Sequence, residues 1–381
     1  MRPQVEPNPS FLPTPNKREP TSIGSALREV LLSCAGAITL WEAMKSIWIQ
    51  LVAVTWAFLQ PAAGAGEFRP GQVWLDDSGQ PINAHAGGVL FESGRYYWFG
   101  QPMSALPAGR KYPPAAGNLT EVGVNCYSST NLYEWHFESV ALAVSDDSSH
   151  DLYKGLRIER PKVLRCPTTG KYVMWFHYVR SGKTHAECYD AAVCEADKVA
   201  GPYKLVKIFR PNGGQMVRDC TLFQDTNGEA YFFYTSESNK TMHVTQLTGD
   251  YLDAGKRWER ILIGEEREAP AIFHHRGCYY LITSGCTGWG HNPASYAVAT
   301  HPLGPWKTVG DPCVGTNAQN TFESQGTFVL PVQGSPGNFI FMADRWNTTN
   351  MADSRYLWLP VVLKADANIE INWREAWRLP Q

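Results

Sequence analysis

The chain has no block of basic residues. Its 34 Lys and Arg against 36 Asp and Glu leave a formal net charge of −2, so nothing in it suits a nucleic-acid backbone. No Cys-x-x-Cys pair and no Cys/His spacing of a zinc site occurs, and no metal or cofactor is expected. Helical periodicity is scarce: beyond about residue 66 there is no run rich in Ala, Leu, Glu and Lys. The apolar run from Ile47 to Leu59 falls short of the ~20 residues of a membrane-spanning helix.

What precedes residue 67 is read as an N-terminal extension, 1–66. It is Pro-rich at first, and Met44 is a candidate true start. Met44-Lys45-Ser46, the apolar run and an Ala63-Gly64-Ala65 site form a signal-peptide layout. The alternative, an uncleaved anchor, is the only route to a membrane. A secreted or secretory-pathway location is expected. Of nine cysteines, Cys34 precedes the cleavage site, and the even remainder fits an oxidising compartment. The competing reading is that several are free and buried, since Cys126, Cys194 and Cys220 lie in strand-like runs. Sequons at Asn118, Asn239 and Asn347 suit secretion in a eukaryote.

What the chain does have is turns and aromatics: 33 Gly, 26 Pro, 14 Trp, 17 Tyr and 16 Phe. Between residues 67 and 381 one pattern recurs five times. A polar residue opens a small apolar run, a Gly turn follows, and then a dense aromatic or aliphatic strand. The copies begin near His85, Glu159, Arg218, Glu268 and Ser324, and their turn glycines are Gly94, Gly170, Gly228, Gly277 and Gly337. Each copy reads as a β-hairpin. A weaker turn-and-strand pattern after each hairpin brings the unit to four strands. The expected fold is all-β, a five-bladed β-propeller.

In a propeller the first strand of each blade lines the central channel. The five opening residues, His85, Glu159, Asp219, Glu268 and Gln325, should therefore converge on one pocket. Several acids on different blades suit glycoside hydrolysis, in which one group protonates the leaving oxygen. Their proximity would drive their pKa values apart. The alternative is that these acids are structural, tied to Arg or backbone amides. The neighbours Glu159-Arg160 and Arg218-Asp219 are not expected to pair directly, because adjacent strand residues point to opposite faces. Among the aromatics, Tyr189 is a candidate stacking face. Trp289, in a Gly-rich loop after a strand, is the best ligand candidate.

The strings INAHAGGVLFESGRYYWFG, ERPKVL, RDCTLFQDTNGEAYFFYTSESN, REAPAIF, YYLITSGCTGW, SQGTFVLP and ADRW resemble glycoside hydrolase family 43, in particular its exo-β-1,3-galactanase branch. The resemblance implies a five-bladed propeller that releases galactose from β-1,3-galactan or a related oligosaccharide with inversion. It implies Glu268 as general acid, Glu159 as the acid that tunes it, and Asp219 as a substrate binder. The wider family has an Asp base at the start of blade one, where this chain reads NAHAGG. In the galactanase branch a Gln, here Gln325, is held to orient or deprotonate water as its imidic-acid tautomer. Milder readings are that Gln325 only positions water, or that His85 supplies the base. Inversion predicts ~6.5–9.5 Å between the acid and the water-positioning group. Gln101 stands where the family often has a sugar-binding Glu. With His85, Tyr189, Thr287 and Trp289 it completes the expected substrate contacts. Two rival readings remain: an arabinofuranosidase or xylosidase of the same fold, and a catalytically silent sugar-binding propeller.

Overall fold

The structure, a computed structural model, describes residues 66–103, 123–154, 156–180, 188–365 and 368–380. The signal layout, Cys34 and the Asn118 sequon lie outside them. Five antiparallel sheets follow one another. The first has β1 (His85–Glu92), β2 (Arg95–Gln101), β3 (Val124–Ser129) and β4 (His136–Leu142). The second has β5 (Arg157–Arg165), β6 (Tyr172–Val179), β7 (Tyr189–Ala196) and β8 (Lys204–Phe209). The third comprises β9 (Cys220–Gln224), β10 (Ala230–Ser236), β11 (Thr241–Leu247) and β12 (Ala254–Ile261). The fourth comprises β13 (Arg267–His275), β14 (Cys278–Gly285), β15 (Ser295–Ala299) and β16 (Lys307–Gly310). The fifth holds β17 (Cys313–Val314), β18 (Gln325–Pro331), β19 (Phe339–Arg345), β20 (Arg355–Leu363) and β21 (Ile369–Asn372). Its extra strand β17 pairs parallel with β21.

The first strands of the blades touch in cyclic order, β1 with β5, β5 with β9, β9 with β13, β13 with β18 and β18 with β1. The chain is therefore a closed five-bladed β-propeller. Each pair of neighbouring blades shares an apolar cluster, for example Phe99 with Met174, Trp175 with Phe232, and Phe341 with Tyr280. This explains the dense second strands. β6, YVMWFHYV, is buried along its whole length, as a strand covered on both faces must be. At the seam, Phe68 and Trp377 form an antiparallel bridge with N–H···O distances of 2.8 and 3.0 Å. Trp98, Trp135 and Trp358 pack beneath it. All five turn glycines adopt positive φ, between 73° and 87°.

The innermost strands of three blades share a bulge, and it shapes the channel mouth. Ladder register slips between His85 and Gly88, Glu159 and Lys162, and Glu268 and Ala271. In each case the residue after the opening one is left-handed: Ala86 (φ 51°), Arg160 (φ 56°) and Ala269 (φ 55°). A non-glycine pays about 1–3 kcal/mol for such a conformation. Each bulge is held by a side chain of the preceding blade that accepts its N–H. These are Asp344 Oδ2 for Ala86 (2.9 Å), Gln101 Oε1 for Arg160 (3.2 Å) and Asp219 Oδ2 for Ala269 (3.1 Å). The first bulge also leaves no room for a side chain at Gly87, where a Cβ would stand 1.8 Å from the Phe99 carbonyl oxygen. Gly87→Ala is expected to destabilise the fold by about 3 kcal/mol or more, read from the denaturant midpoint.

None of the eight cysteines from Cys126 to Cys313 forms a disulfide. Their even number therefore does not reflect pairing, and the support that it lent to an oxidising compartment falls away. The blade cores bury six of them as small apolar side chains, Cys126, Cys166, Cys188, Cys194, Cys220 and Cys313.

Candidate active site

A pocket opens at the channel mouth, lined by residues from all five blades. Four of the five opening residues reach it: Glu159, Asp219, Glu268 and Gln325. His85 does not. Its Nδ1 lies 2.8 Å from Asp344 Oδ1, its Nε2 lies 3.3 Å from the Tyr356 hydroxyl, and it is 2% exposed. The bulge at Ala86 turns Ala86 to the pocket in its place. His85 is thus a buried blade-to-blade clasp, with neither ring nitrogen at hand to take a proton from pocket water.

Glu268 is the centre of the site. Gln325 Nε2 donates to its Oε1 (3.0 Å), and Asn239 Nδ2 donates to its Oε2 (3.0 Å). Burial, with the charge of Asp219, pushes its pKa up to about 8 against the pull of Arg160, Arg218 and the Gln325 hydrogen bond. Glu159 has the opposite fate. Burial alone would raise it, but Arg157 (2.9 Å), His177 (2.9 Å) and Arg160 outweigh that and hold it well below the usual carboxylate range. One carboxyl is kept protonated and its neighbour ionised, the division of labour that two-acid sites require.

Gln325 is saturated. Its oxygen accepts from Arg160 Nη2 (2.7 Å) and Trp346 Nε1 (3.0 Å), and its nitrogen donates to Glu268 and to Ser284 Oγ (3.0 Å). Both partners of the oxygen only donate, so the amide orientation is determined. This corrects the expected spacing. Gln325 and Glu268 are joined by one hydrogen bond rather than separated by 6.5–9.5 Å, because their strands, β18 and β13, are neighbours on the ring.

The neighbour pairs behave as expected, though for a different reason. Glu159 pairs with Arg157, while Arg160 crosses to Asp219 (2.9 Å) and Arg218 lies over the Tyr189 ring (4.6 Å). Strict alternation fails at the bulge, so Glu159 and Arg160 both line the pocket. Tyr189 and Trp289 also line it, and Trp289 packs edge-on against Trp346 (5.1 Å). Gln101 is there too. Its oxygen holds the Arg160 N–H, and among the described residues its NH2 meets the Met103 sulfur at 3.9 Å. Thr287 is not part of the lining. Its hydroxyl accepts from Asn292 (2.7 Å) and donates to the Gly290 carbonyl (2.5 Å), bracing the loop that carries Trp289.

Residues that sequence reasoning missed include Ser284, Arg157, His177 and Asn239. Asn239 had been read as a glycan acceptor, but its side chain is buried and holds the central carboxyl. The register of the repeat would have found two of them: His177 and Ser284 face Glu159 and Glu268 across their hairpins, as Gln101 faces His85. Glu159, His177 and Asp219 bring ligand atoms within 4.8 Å of one another. Both carboxylates are already bound by guanidinium groups, which a cation would have to displace.

A buried carboxyl held protonated, an ionised one nearby and two indoles at the mouth of a propeller channel make the site of a glycosidase. The chain belongs to glycosyl hydrolases family 43, whose profile matches residues 92–329. Among solved structures it is similar to a family 43 β-1,3-galactosidase crystallised with galactodeoxynojirimycin. Identity is 39%, over 82% of this chain and 100% of that one, with a TM-score of 0.76. An exo-β-1,3-galactanase from Phanerochaete chrysosporium, solved with galactose, is 30% identical over 82% of this chain and 68% of that one (TM-score 0.72). One from Clostridium thermocellum is 32% identical over 82% and 66% (TM-score 0.70). No curated protein sequence matches the chain.

Proposed function

We propose that this glycosidase is exo-acting and releases galactose from β-1,3-galactan chains, with Glu268 as the proton donor. The observation that carries the reading is Glu268 itself, a carboxyl whose pKa is raised to about 8 and whose two oxygens are each held by an amide donor. A site that only binds sugar has no use for a carboxyl kept protonated at neutral pH, so catalysis is favoured over the silent-propeller reading. The galactose preference is supported by the relatives named above.

In this reading a terminal sugar sits over Gln101, Glu159 and Asp219, with Trp289 and Trp346 at the rim. Glu268 protonates the glycosidic oxygen. Glu159, held ionised, and Asp219 stabilise the positive charge that develops on the ring. Gln325 acts as an ordinary amide that holds the acid. Its imidic-acid form would place an O–H against two groups that cannot accept it, Arg160 and Trp346. Water attacks from the face away from Glu268 with inversion as the bond to the leaving oxygen breaks. The proton it sheds passes to solvent at the open pocket mouth, from which Glu268 is reprotonated.

The test is product analysis on β-1,3-galactobiose and longer β-1,3-galacto-oligosaccharides. The expected result is galactose as the sole early product, its first-formed anomer α by NMR. Release of arabinose or xylose from their aryl glycosides, with none of galactose, would favour the same-fold alternative. Residues 44–66 alone support export, which their removal and a secretion assay would check.

A further inference from the structure

The residues one position past the five opening residues are Ala86, Arg160, Cys220, Ala269 and Gly326. Four are small, and one is the longest cationic side chain available. The bulge in β5 turns Arg160 inward, and the small residues on the other blades leave its guanidinium space to cross the pocket floor. It is 4% exposed. Its Nε meets Asp219 Oδ2 of the third blade at 2.9 Å. Its two terminal nitrogens donate to Gln325 Oε1 (2.7 Å) and to the Gly326 carbonyl (3.2 Å) of the fifth. Its own N–H is held by Gln101 of the first. One residue thus ties four blades together directly beneath the acid.

We propose that Arg160 is a positioning residue of this enzyme, which fixes the Gln325 amide with its NH2 toward Glu268 and anchors Asp219, so that acid, amide and carboxylate are held as one unit. The argument rests on the reading of Glu268 as proton donor. Without Arg160, Trp346 alone opposes a flip of the Gln325 amide, which would turn its oxygen toward Glu268. Asp219 would lose the cation that faces it. A lysine would not substitute, because a single ammonium cannot present the planar fork that reaches Asp219, Gln325 and Gly326 together. The charged and titratable groups facing Glu268 are Asp219, Arg160, Arg218, Arg267 and the Cys286 thiol. Of these, only Arg160 touches both Asp219 and Gln325.

The experiment compares Arg160→Lys and Arg160→Ala with the parent on β-1,3-galactobiose, with thermal unfolding as the check on folding. Both variants are expected to lose kcat by about 10²-fold, the scale of an active-site misplacement, with a much smaller change in KM. In Arg160→Ala the alkaline limb of the rate profile is expected to move to higher pH, because a cation that favours ionised Glu268 is gone. Added methylguanidinium should restore part of the rate. A folded Arg160→Lys with near-parental kcat overturns the proposal. So does an Arg160→Ala whose loss comes with an unmoved alkaline limb and no rescue. Should Arg160→Ala fail to fold, kcat of Arg160→Lys decides. The underlying reading fails separately: Glu268→Gln with full activity overturns the acid assignment, whereas an inactive Glu268→Gln beside a fully active Arg160→Lys overturns only the role of Arg160.

Discussion

Glu268→Gln is expected to lower kcat on β-1,3-galactobiose by about 10²–10⁴-fold, the usual contribution of a general acid, while galactose binding persists. The amide keeps the size of the carboxyl, and its oxygen can still accept from Gln325. Its NH2 then meets Asn239, whose amide must turn its oxygen to accept it, and the new side chain has no acidic proton to give. The pH profile carries the sharper signature. With the parent group raised to about 8, the protonated, competent form prevails at neutral pH, and the rate should fall as pH climbs through about 8. The same shift works against stability. Between the unfolded value of 4.5 and about 8 the folded protein keeps a proton that the unfolded chain has released, so stability falls as pH rises through that window. Glutamine does not titrate. The Tm of E268Q should therefore gain on the parent from about pH 5 to about pH 9, measured by calorimetry. A parallel pair of Tm curves would show that Glu268 is not held protonated.

Gln325→Glu separates two ideas about the glutamine. If Gln325 served as a base, a carboxylate there should be at least as active. The hydrogen bonds predict the reverse. One oxygen of the new carboxylate would keep Arg160 and Trp346, and the other would take the place of Nε2, 3.0 Å from Glu268 Oε1. Two carboxyls at that distance share one proton, and the pKa of the one that keeps it rises. We expect a loss of about 10²–10³-fold in kcat, comparable to removing a preorganised donor, with the alkaline limb displaced upward. Gln325→Leu should lose rate similarly with a smaller upward displacement, because it removes only a hydrogen bond that favours ionised Glu268 and adds no second carboxyl. A Gln325→Glu variant faster than the parent would reinstate glutamine as the group that takes the proton from water.

The opening residues of the five repeats pointed to the pocket, and four of five do line it. His85 fails for a reason that no count of repeats contains. Asp344 lies 259 residues away in sequence and clamps both the ring and the following N–H. Gln101 stands where the family often has a sugar-binding Glu. In the fold its oxygen is a clasp on the next blade, and its NH2 end lies against the Met103 sulfur. Asn239 carried a sequon, yet it is buried against the acid. Each of these depends on a partner from another blade, and strand pattern is blind to that.

The sequence by itself determined the blades, their number and order, and the family of the protein, because hairpins are written in local alternation and turn glycines that need positive φ. It also pointed to Glu159, Asp219, Glu268 and Gln325, which line one pocket in the fold. Only the tertiary structure decided what those groups do. The packing of consecutive blades sets β18 beside β13, which puts Gln325 against Glu268 instead of across a sugar from it. The bulges, each held by the preceding blade, decide which side chain turns inward. Burial together with Asp219 from the neighbouring blade, not the identity of the residue, is what raises the pKa of the Glu268 carboxyl to about 8.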